Sequence, residues 1–279
     1  MKLWLDGAIQ SDQEARIKPQ DRGLLLGDGL FETIRVADGA ATCLVGHLAR
    51  LQAGAAVLGI PIPMDAAPLG SAVRSVIAAN ALSQGSLRLT LTRGPGPRGV
   101  LPPAAVSPTL MITASDMPAA LGDASVITAT VTRRNEFSPL SRIKSLNYLD
   151  SILARREAAA RGVDDAILLN TRGAVAETSY SNLLVMIGGR LLTPPVDDGA
   201  LGGIARSRLI DGGMVREASL TPGDLLSAEG IFLCNSLSIR AVVRLDDRPV
   251  AGKPECLRLM RNMLQAVVVL HGRDQIMGS

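Results

Sequence analysis

The sequence predicts an α+β protein of two domains: a small N-terminal α+β domain over 1–118 and a larger mixed-sheet domain over 125–279, joined by a loop at 119–124. Three observations lead there. Apolar residues alternate with polar ones in some stretches and recur every three or four residues in others, so strands and helices are both present. The two kinds follow one another without the regular strand–helix alternation of a doubly wound sheet. The stretch SDMPAALGDAS then places turn and breaker residues between two strand-like runs, which marks a boundary.

Taken in order, LWLDG reads as a short strand closed by a turn, and GLFETIRVADG as a strand ending in an Asp-Gly turn. HLARLQAGAAVLGI has helical spacing at Leu48, Leu51, Ala55 and Leu58 and stops before Pro61. A second helix covers about 66–83, and LRLTLTRG alternates as a half-buried strand. GPGPRGVLPP is too rich in Gly and Pro for regular structure and makes a shaped loop. TLMITAS and SVITATVTRR are strands on either side of the boundary. LNYLDSILARREAAARG is a helix with Leu146, Leu149, Ile152 and Leu153 on one face and Gly162 as its stop. DDAILLN, NLLVMI and RLLTPP are strands, the last two joined by a turn at Gly188 and Gly189. GIARSRLI opens a helix, GIFLCNS and AVVRLDD are strands, and 254–271 forms a closing helix.

Composition narrows the function. Aromatic residues are 2% of the chain and the net charge is only +3, with scattered arginines, so platforms for stacking nucleic-acid bases are scarce and no nucleic-acid partner is expected. Cys43, Cys234 and Cys256 are far apart, no CxxC pair exists, and His47 and His271 are the only histidines, so no metal site is expected. The N-terminus has an acidic residue by position six and no long apolar run, unlike a signal peptide. AVVVL is far too short to cross a bilayer, so no membrane partner is expected and a reducing cytoplasm fits best. GxSxG and the P-loop pattern are missing, and the GxGxxG at 94–99 lies in the irregular loop GPGPRGVLPP with no helix opening after it, which argues against hydrolase triads and the common nucleotide cradles.

One residue stands out. The chain has four lysines against twenty-five arginines, and Lys144 is the only lysine between Lys18 and Lys253. Arg stays protonated under ordinary conditions, whereas Lys can become a nucleophilic amine. Lys144 lies at the end of an extended segment, flanked by Ile143 and Leu146, and an amine held against apolar walls is readied for Schiff-base chemistry. A solvated lysine at a helix start is the plain alternative, weakened here by the preference for Arg. Pyridoxal phosphate, the usual partner of such a lysine, asks for a phosphate cradle at a helix start and a carboxylate for its ring nitrogen. DDGALGGIARSRLI offers the first at Gly203, Ile204 and Ala205, and AVAETSYSN offers Glu177.

Together and in this order, DRGLLLGDGLFETIRV, HLARL, IKSLNYLDSILARREA, AVAETSYSNLLV, GALGGIARSRLI and LCNSLSIRAVV resemble the class IV, or fold type IV, PLP-dependent aminotransferases over nearly the whole chain. The resemblance implies pyridoxal 5'-phosphate as cofactor, held by Lys144 as a Schiff base, with Glu177 at the pyridine nitrogen. Arg50, the backbone of Ile204 and Ala205, and the hydroxyl of Ser236 would take the phosphate. Family members often carry Thr where Ala205 stands, so that hydroxyl is lost here. Leu201 would pack on the ring, Ser181 and Asn182 belong to the loop beside it, and Tyr148 would reach the phenolic oxygen. Phe31 would line the substrate pocket, and Arg98 sits where D-amino-acid enzymes place a carboxylate-trapping arginine. Val100 and Phe31 replace the His and Tyr expected with it. The resemblance also implies a homodimer acting on an amino acid and a 2-oxo acid. Aminotransfer, from a D-amino acid or a branched-chain amino acid, ranks first. 4-Amino-4-deoxychorismate lysis to pyruvate and 4-aminobenzoate ranks second, because CNSLSIRAV looks most like the lyases. A non-catalytic protein of the same fold is the remote alternative, opposed by the presence of both Lys144 and Glu177.

Overall fold

The structure, a computed structural model, describes residues 1–119, 121–252, 257–258 and 260–264. The expected closing helix over 254–271 falls largely outside these, with helical backbone at Leu257, Arg258 and 260–264; Cys256 and His271 also lie outside. The described chain divides into two compact units. The first comprises Met1–Ala119 together with Ile143–Asn147; the second runs to Arg142 and resumes at Tyr148. Lys144, which a boundary at 119–124 assigns to the C-terminal domain, therefore groups with the N-terminal unit.

The first unit is built on six strands: β1 (Lys2–Leu5), β2 (Ala8–Ser11), β3 (Gly29–Ala37), β4 (Ala40–Ala41), β5 (Gln84–Thr92) and β6 (Thr109–Asp116). They form an antiparallel sheet in the order β2-β1-β6-β5-β3-β4. Strand alternation gives it one apolar face, where Leu30, Ile34, Val36, Leu87, Leu89 and Leu91 are all buried. After α1 (Arg22–Leu26), the helices α2 (Leu44–Leu58) and α3 (Ala66–Ala79) contribute Leu48, Leu51, Leu69, Val73 and Val76 to that core. β2 and α1 had no signal strong enough to be read from the sequence. Ile143–Asn147 runs along the start of β3: Phe31 N–H donates to the Lys144 carbonyl at 2.9 Å, and Leu146 N–H to the Gly29 carbonyl at 2.9 Å. Leu146 is thus a pairing residue rather than the first turn of a helix.

The second unit holds a nine-stranded mixed sheet. Its strands are β7 (Ala124–Thr128), β8 (Asp165–Leu169), β9 (Val175–Thr178), β10 (Asn182–Ile187), β11 (Arg190–Thr193), β12 (Arg216–Glu217), β13 (Gly230–Cys234), β14 (Ile239–Leu245) and β15 (Arg248–Pro249). The order is β12-β11-β10-β13-β14-β7-β8-β9, with β15 on β14. β13 is apolar throughout because both its faces are covered. Ile231 and Leu233 pack with Leu220 and Leu225, while Phe232 and Cys234 pack with Ala205 and Leu209. SVITATVTRR is shorter as a strand than its sequence suggests. Beyond Thr128 the N–H groups of Thr130 and Val131 bond to the Glu157 carboxylate at 2.9 and 3.2 Å instead of a neighbouring strand.

Helices α4 (Leu149–Ala160), α5 (Ile204–Asp211) and α6 (Pro222–Leu226) complete the unit. In α4 it is the alanine face, Ala154 and Ala158, that packs on Ile127, Ala166 and Leu168. Small side chains let the helix backbone approach the sheet, and the aliphatic stripe is left outside, with Leu149 75% exposed. Among the described residues no helix is long and apolar enough to cross a membrane, and no group of three or more His, Cys, Asp or Glu could hold a metal ion.

Candidate active site

In the first unit, pairing with β3 fixes where Lys144 stands. A 3-10 turn over Pro139–Arg142 leads into a turn at Ile143–Lys144; Ile143 and Ser145 on either side are buried, while Lys144 is only half-buried. Its Nζ lies 4.4 Å from the centre of the Phe31 ring. Arg88, on β5 two residues from Thr90, the cross-strand partner of Phe31, places its guanidinium carbon 3.8 Å from the same centre. Each cation gains about 0.5–1 kcal/mol from the ring. Two like charges over one ring also favour an anionic group beside them. Phe31 is therefore the shared support of two cations, and the core face of β3 lies on the other side of the strand.

On that core face Glu32 is buried at 1% exposure. Arg50 donates to it from Nε at 2.8 Å and from Nη2 at 2.5 Å, and His47 Nδ1 lies 2.7 Å from it. Burial works to raise the Glu32 carboxyl, but hydrogen bonds from Arg50 and His47 outweigh it and hold the group below the usual carboxylate range. Burial depresses the His47 imidazole, the charges of Arg50 and Lys144 add to this, and the bond to Glu32 opposes it. A neutral His47 beside an ionised Glu32 must donate from Nδ1.

Arg98 is exposed on the loop after β5. Arg22 shapes that loop by donating to the carbonyls of Gly99 and Val100 at 2.9 and 2.8 Å, and Asp28 pairs with both Arg22 and Arg93 at 2.8 Å. A half-open cavity of about 360 Å³ between the β1–β2 turn and the 16–18 and 107–109 segments is lined by none of the residues expected at the site.

In the second unit Glu177 is the penultimate residue of β9. Its Oε2 accepts from Leu201 N–H at 2.9 Å, and its Oε1 lies 3.1 Å from Arg134 Nη2. Arg134 also donates to the carbonyls of Gly199 and Ser141 at 3.1 and 2.9 Å, so its guanidinium is held from three sides. The Leu201 carbonyl accepts from Asn182 Nδ2 at 2.8 Å and from Gly203 N–H at 2.8 Å. A Cβ on Gly203 would stand 2.0 Å from Asn182 Oδ1, so any larger residue there forces the Asn182 side chain to move. Gly203 then caps α5 and offers no side-chain acceptor to the N–H groups of its first turn. Ala205 turns its side chain into the apolar core, leaving its backbone as the polar part of that position.

Ser181 is buried and accepts from Asn235 Nδ2 at 3.1 Å. Asn235 Oδ1 in turn accepts from the N–H groups of Leu237 and Ser238 at 2.9 and 3.0 Å, which shapes the turn carrying Ser236. Tyr148 immediately precedes α4 and makes no side-chain cap. Glu177, Leu201, Asn182 and Gly203, which precedes Ile204 and Ala205, are thus joined through one hydrogen-bonded set, while Ser181 bonds to Asn235 and Thr178. Arg134, Asn235, Glu32, His47 and Arg88 were not singled out by sequence. Glu32 carried a signal, a charge on the apolar register of β3; Arg134, far from Glu177 along the chain, carried none.

Each unit carries groups that suit a phosphorylated pyridoxal: in the first the amine of Lys144 and the guanidinium of Arg50, in the second the anchored carboxylate of Glu177 and the start of α5. A family model described as amino-transferase class IV matches residues 29–245. A Methanocaldococcus jannaschii protein provisionally named branched-chain-amino-acid aminotransferase is 36% identical over 261 residues, covering 91% of each chain. D-alanine aminotransferase of Bacillus licheniformis is 30% identical over 267 residues, covering 91% of this chain and 92% of the relative. Among solved structures, branched-chain amino acid aminotransferase of Escherichia coli superposes with a TM-score of 0.88 at 26% identity, covering 99% of this chain and 97% of the other. A Legionella pneumophila chain provisionally named 4-amino-4-deoxychorismate lyase gives 0.81 at 33% identity, covering 91% and 97%.

Proposed function

Since the chain belongs to the class IV aminotransferase family, we propose that it is a pyridoxal 5'-phosphate-dependent aminotransferase moving an amino group between a D- or branched-chain amino acid and a 2-oxo acid. When bound, the cofactor supplies an electron sink for the charge that develops at the substrate Cα. Lys144 Nζ would hold it covalently and, once displaced, carry the proton on and off that Cα. Glu177 would keep a proton on the ring nitrogen, with Arg134 and Leu201 N–H fixing its carboxylate. Arg50, the N–H groups of Ile204 and Ala205, and Ser236 would bind the phosphate, and Leu201 would bear on the ring. Ser181 and Asn182 would hold the loop beside it, and Tyr148 would reach the phenolic oxygen.

The observation that carries this reading is the pair of cations over Phe31. A nucleophilic amine beside a guanidinium suits an amino acid or 2-oxo acid, whose carboxylate Arg88 would receive, with Arg98 as a second acceptor of negative charge. Lysis of aminodeoxychorismate is the second reading, favoured by the likeness to the Legionella chain. Separate incubation with D-alanine, L-leucine and aminodeoxychorismate, assaying 2-oxo acid and 4-aminobenzoate, tests both. Keto acid from either amino acid in the presence of an acceptor supports aminotransfer; 4-aminobenzoate alone replaces it with the lyase. A homodimer completes the proposal, supported by the solvent-facing Leu149, Ile152 and Leu153 of α4.

A further inference from the structure

A carboxylate is buried where β3 otherwise offers only aliphatic side chains. Leu30, Ile34 and Val36 share their face with Glu32 and belong to the apolar core of the first unit. Apolar residues at 32, 47 and 50 together would fill that place without bringing charge out of water, and such replacements of a whole buried ion-pair set are commonly neutral or stabilising. Glu32 is instead met by two residues three apart on α2. Arg50 reaches it with Nε and Nη2 at 2.8 and 2.5 Å, and His47 with Nδ1 at 2.7 Å. Two-point contact fixes the plane of a guanidinium, which a single contact cannot do. Glu32 and His47 side chains are each 1% exposed, while that of Arg50 keeps 13%, so the cluster opens to its surroundings at the guanidinium.

We propose that Glu32 and His47 are positioning residues for a phosphate monoester: His47 fixes the carboxylate, the carboxylate fixes the guanidinium plane, and Arg50 meets the cofactor's phosphate already oriented. This rests on the reading of Arg50 as a phosphate ligand. Charge alone argues the other way. An ionised Glu32 cancels the charge of Arg50, so on electrostatics its removal strengthens phosphate binding. On positioning, its removal weakens binding, because the guanidinium must then lose its rotational freedom on contact. The two accounts predict opposite signs.

The experiment titrates apoprotein with pyridoxal 5'-phosphate and, in parallel, with pyridoxal, following the visible absorbance. The expected result is a wild-type preference for the phosphorylated form that shrinks about tenfold in Glu32→Gln, with pyridoxal affinity little changed. His47→Asn, whose amide can donate from near the Nδ1 position, keeps most of the preference; His47→Leu loses it. The midpoint of thermal unfolding gives a second reading: inorganic phosphate raises it in wild-type apoprotein and fails to do so in Glu32→Gln. A preference equal or greater in Glu32→Gln overturns the inference and leaves the cofactor reading standing. Wild-type protein that binds neither aldehyde overturns both.

Discussion

Arg134 and Glu177 meet at 3.1 Å at the end of β9, with side-chain exposures of 17% and 11%. Arg134 does nothing else that faces solvent, since its remaining contacts are the carbonyls of Gly199 and Ser141. Its replacement takes the guanidinium away from a nearly buried carboxylate and releases the 199–201 turn together. Arg134→Gln is expected to lower turnover at least tenfold while cofactor still binds, and Glu177→Ala to do so more severely. Steady-state kinetics alongside the visible spectrum of each variant checks this. Wild-type turnover in either variant removes Glu177 from its proposed role.

Gly203 carries a sharper steric demand. A methyl group there would sit 2.0 Å from Asn182 Oδ1, the side chain that also binds the Leu201 carbonyl. Gly203→Ala must therefore displace Asn182, the turn or the start of α5. A loss of about 1–3 kcal/mol is expected, read as a lower urea midpoint, together with weaker cofactor binding. Gly213→Ala, at a glycine with open space around it but positive φ, should cost only about 1 kcal/mol from backbone strain.

These two sites differ in how far the sequence revealed them. The Gly-rich turn into a helix at 203–205 is local, and local chemistry is legible. Lys144 was legible by contrast, as a lysine in an arginine-rich chain. What failed was anything that depends on a partner distant along the chain. Leu146 has helical spacing with Leu149, but its N–H is taken by Gly29, so pairing with β3 overrides periodicity. Ile152 and Leu153 read as a core stripe, while Ala154 and Ala158 make the contact with β8 because the helix sits too close to the sheet for leucine. The strand at 175–178 was hidden by its length of four residues. Arg134 had no pattern to declare it.

The Glu32–His47 pair gives the first unit a pH dependence. Burial keeps the folded-state pKa of His47 below its ordinary 6.5, so between those values the unfolded chain binds a proton that the folded chain does not. Stability is then full above 6.5 and declines as pH falls, by at most about 1.4 kcal/mol per unit. Glu32, also depressed, adds a further loss only below the ordinary carboxylate range, as pH drops through its folded value. Urea unfolding from pH 7.5 to 5 should therefore show a declining midpoint in the wild type and a flatter one in His47→Asn. Parallel curves for the two proteins would place the dependence elsewhere.

The outward stripe of α4 bears on assembly. Leu149, Ile152 and Leu153 are 75%, 50% and 44% exposed and lie together on one side of a single helix. A dimer that covers them loses its driving force when they become charged. Leu149→Asp with Ile152→Asp should give a monomer by light scattering, with far-UV dichroism unchanged because α4 is held by its alanine face. A dimer of undiminished stability would show that the interface lies on another surface.

Arg88 offers the most direct test of substrate chemistry. It stacks on Phe31 at 3.8 Å beside Lys144, projecting from the half of β5 that faces away from the apolar core. A guanidinium in that place adds little to folding, because it is exposed and a cation over one phenyl ring contributes about 0.5–1 kcal/mol. If it receives the carboxylate that amino acids and 2-oxo acids have in common, its loss weakens every acceptor alike. Arg88→Leu should raise KM for 2-oxoglutarate and for pyruvate by similar factors, about tenfold or more. A change for 2-oxoglutarate alone would assign Arg88 to the second carboxylate of dicarboxylic acceptors, and no change for either would leave it only a support for Phe31.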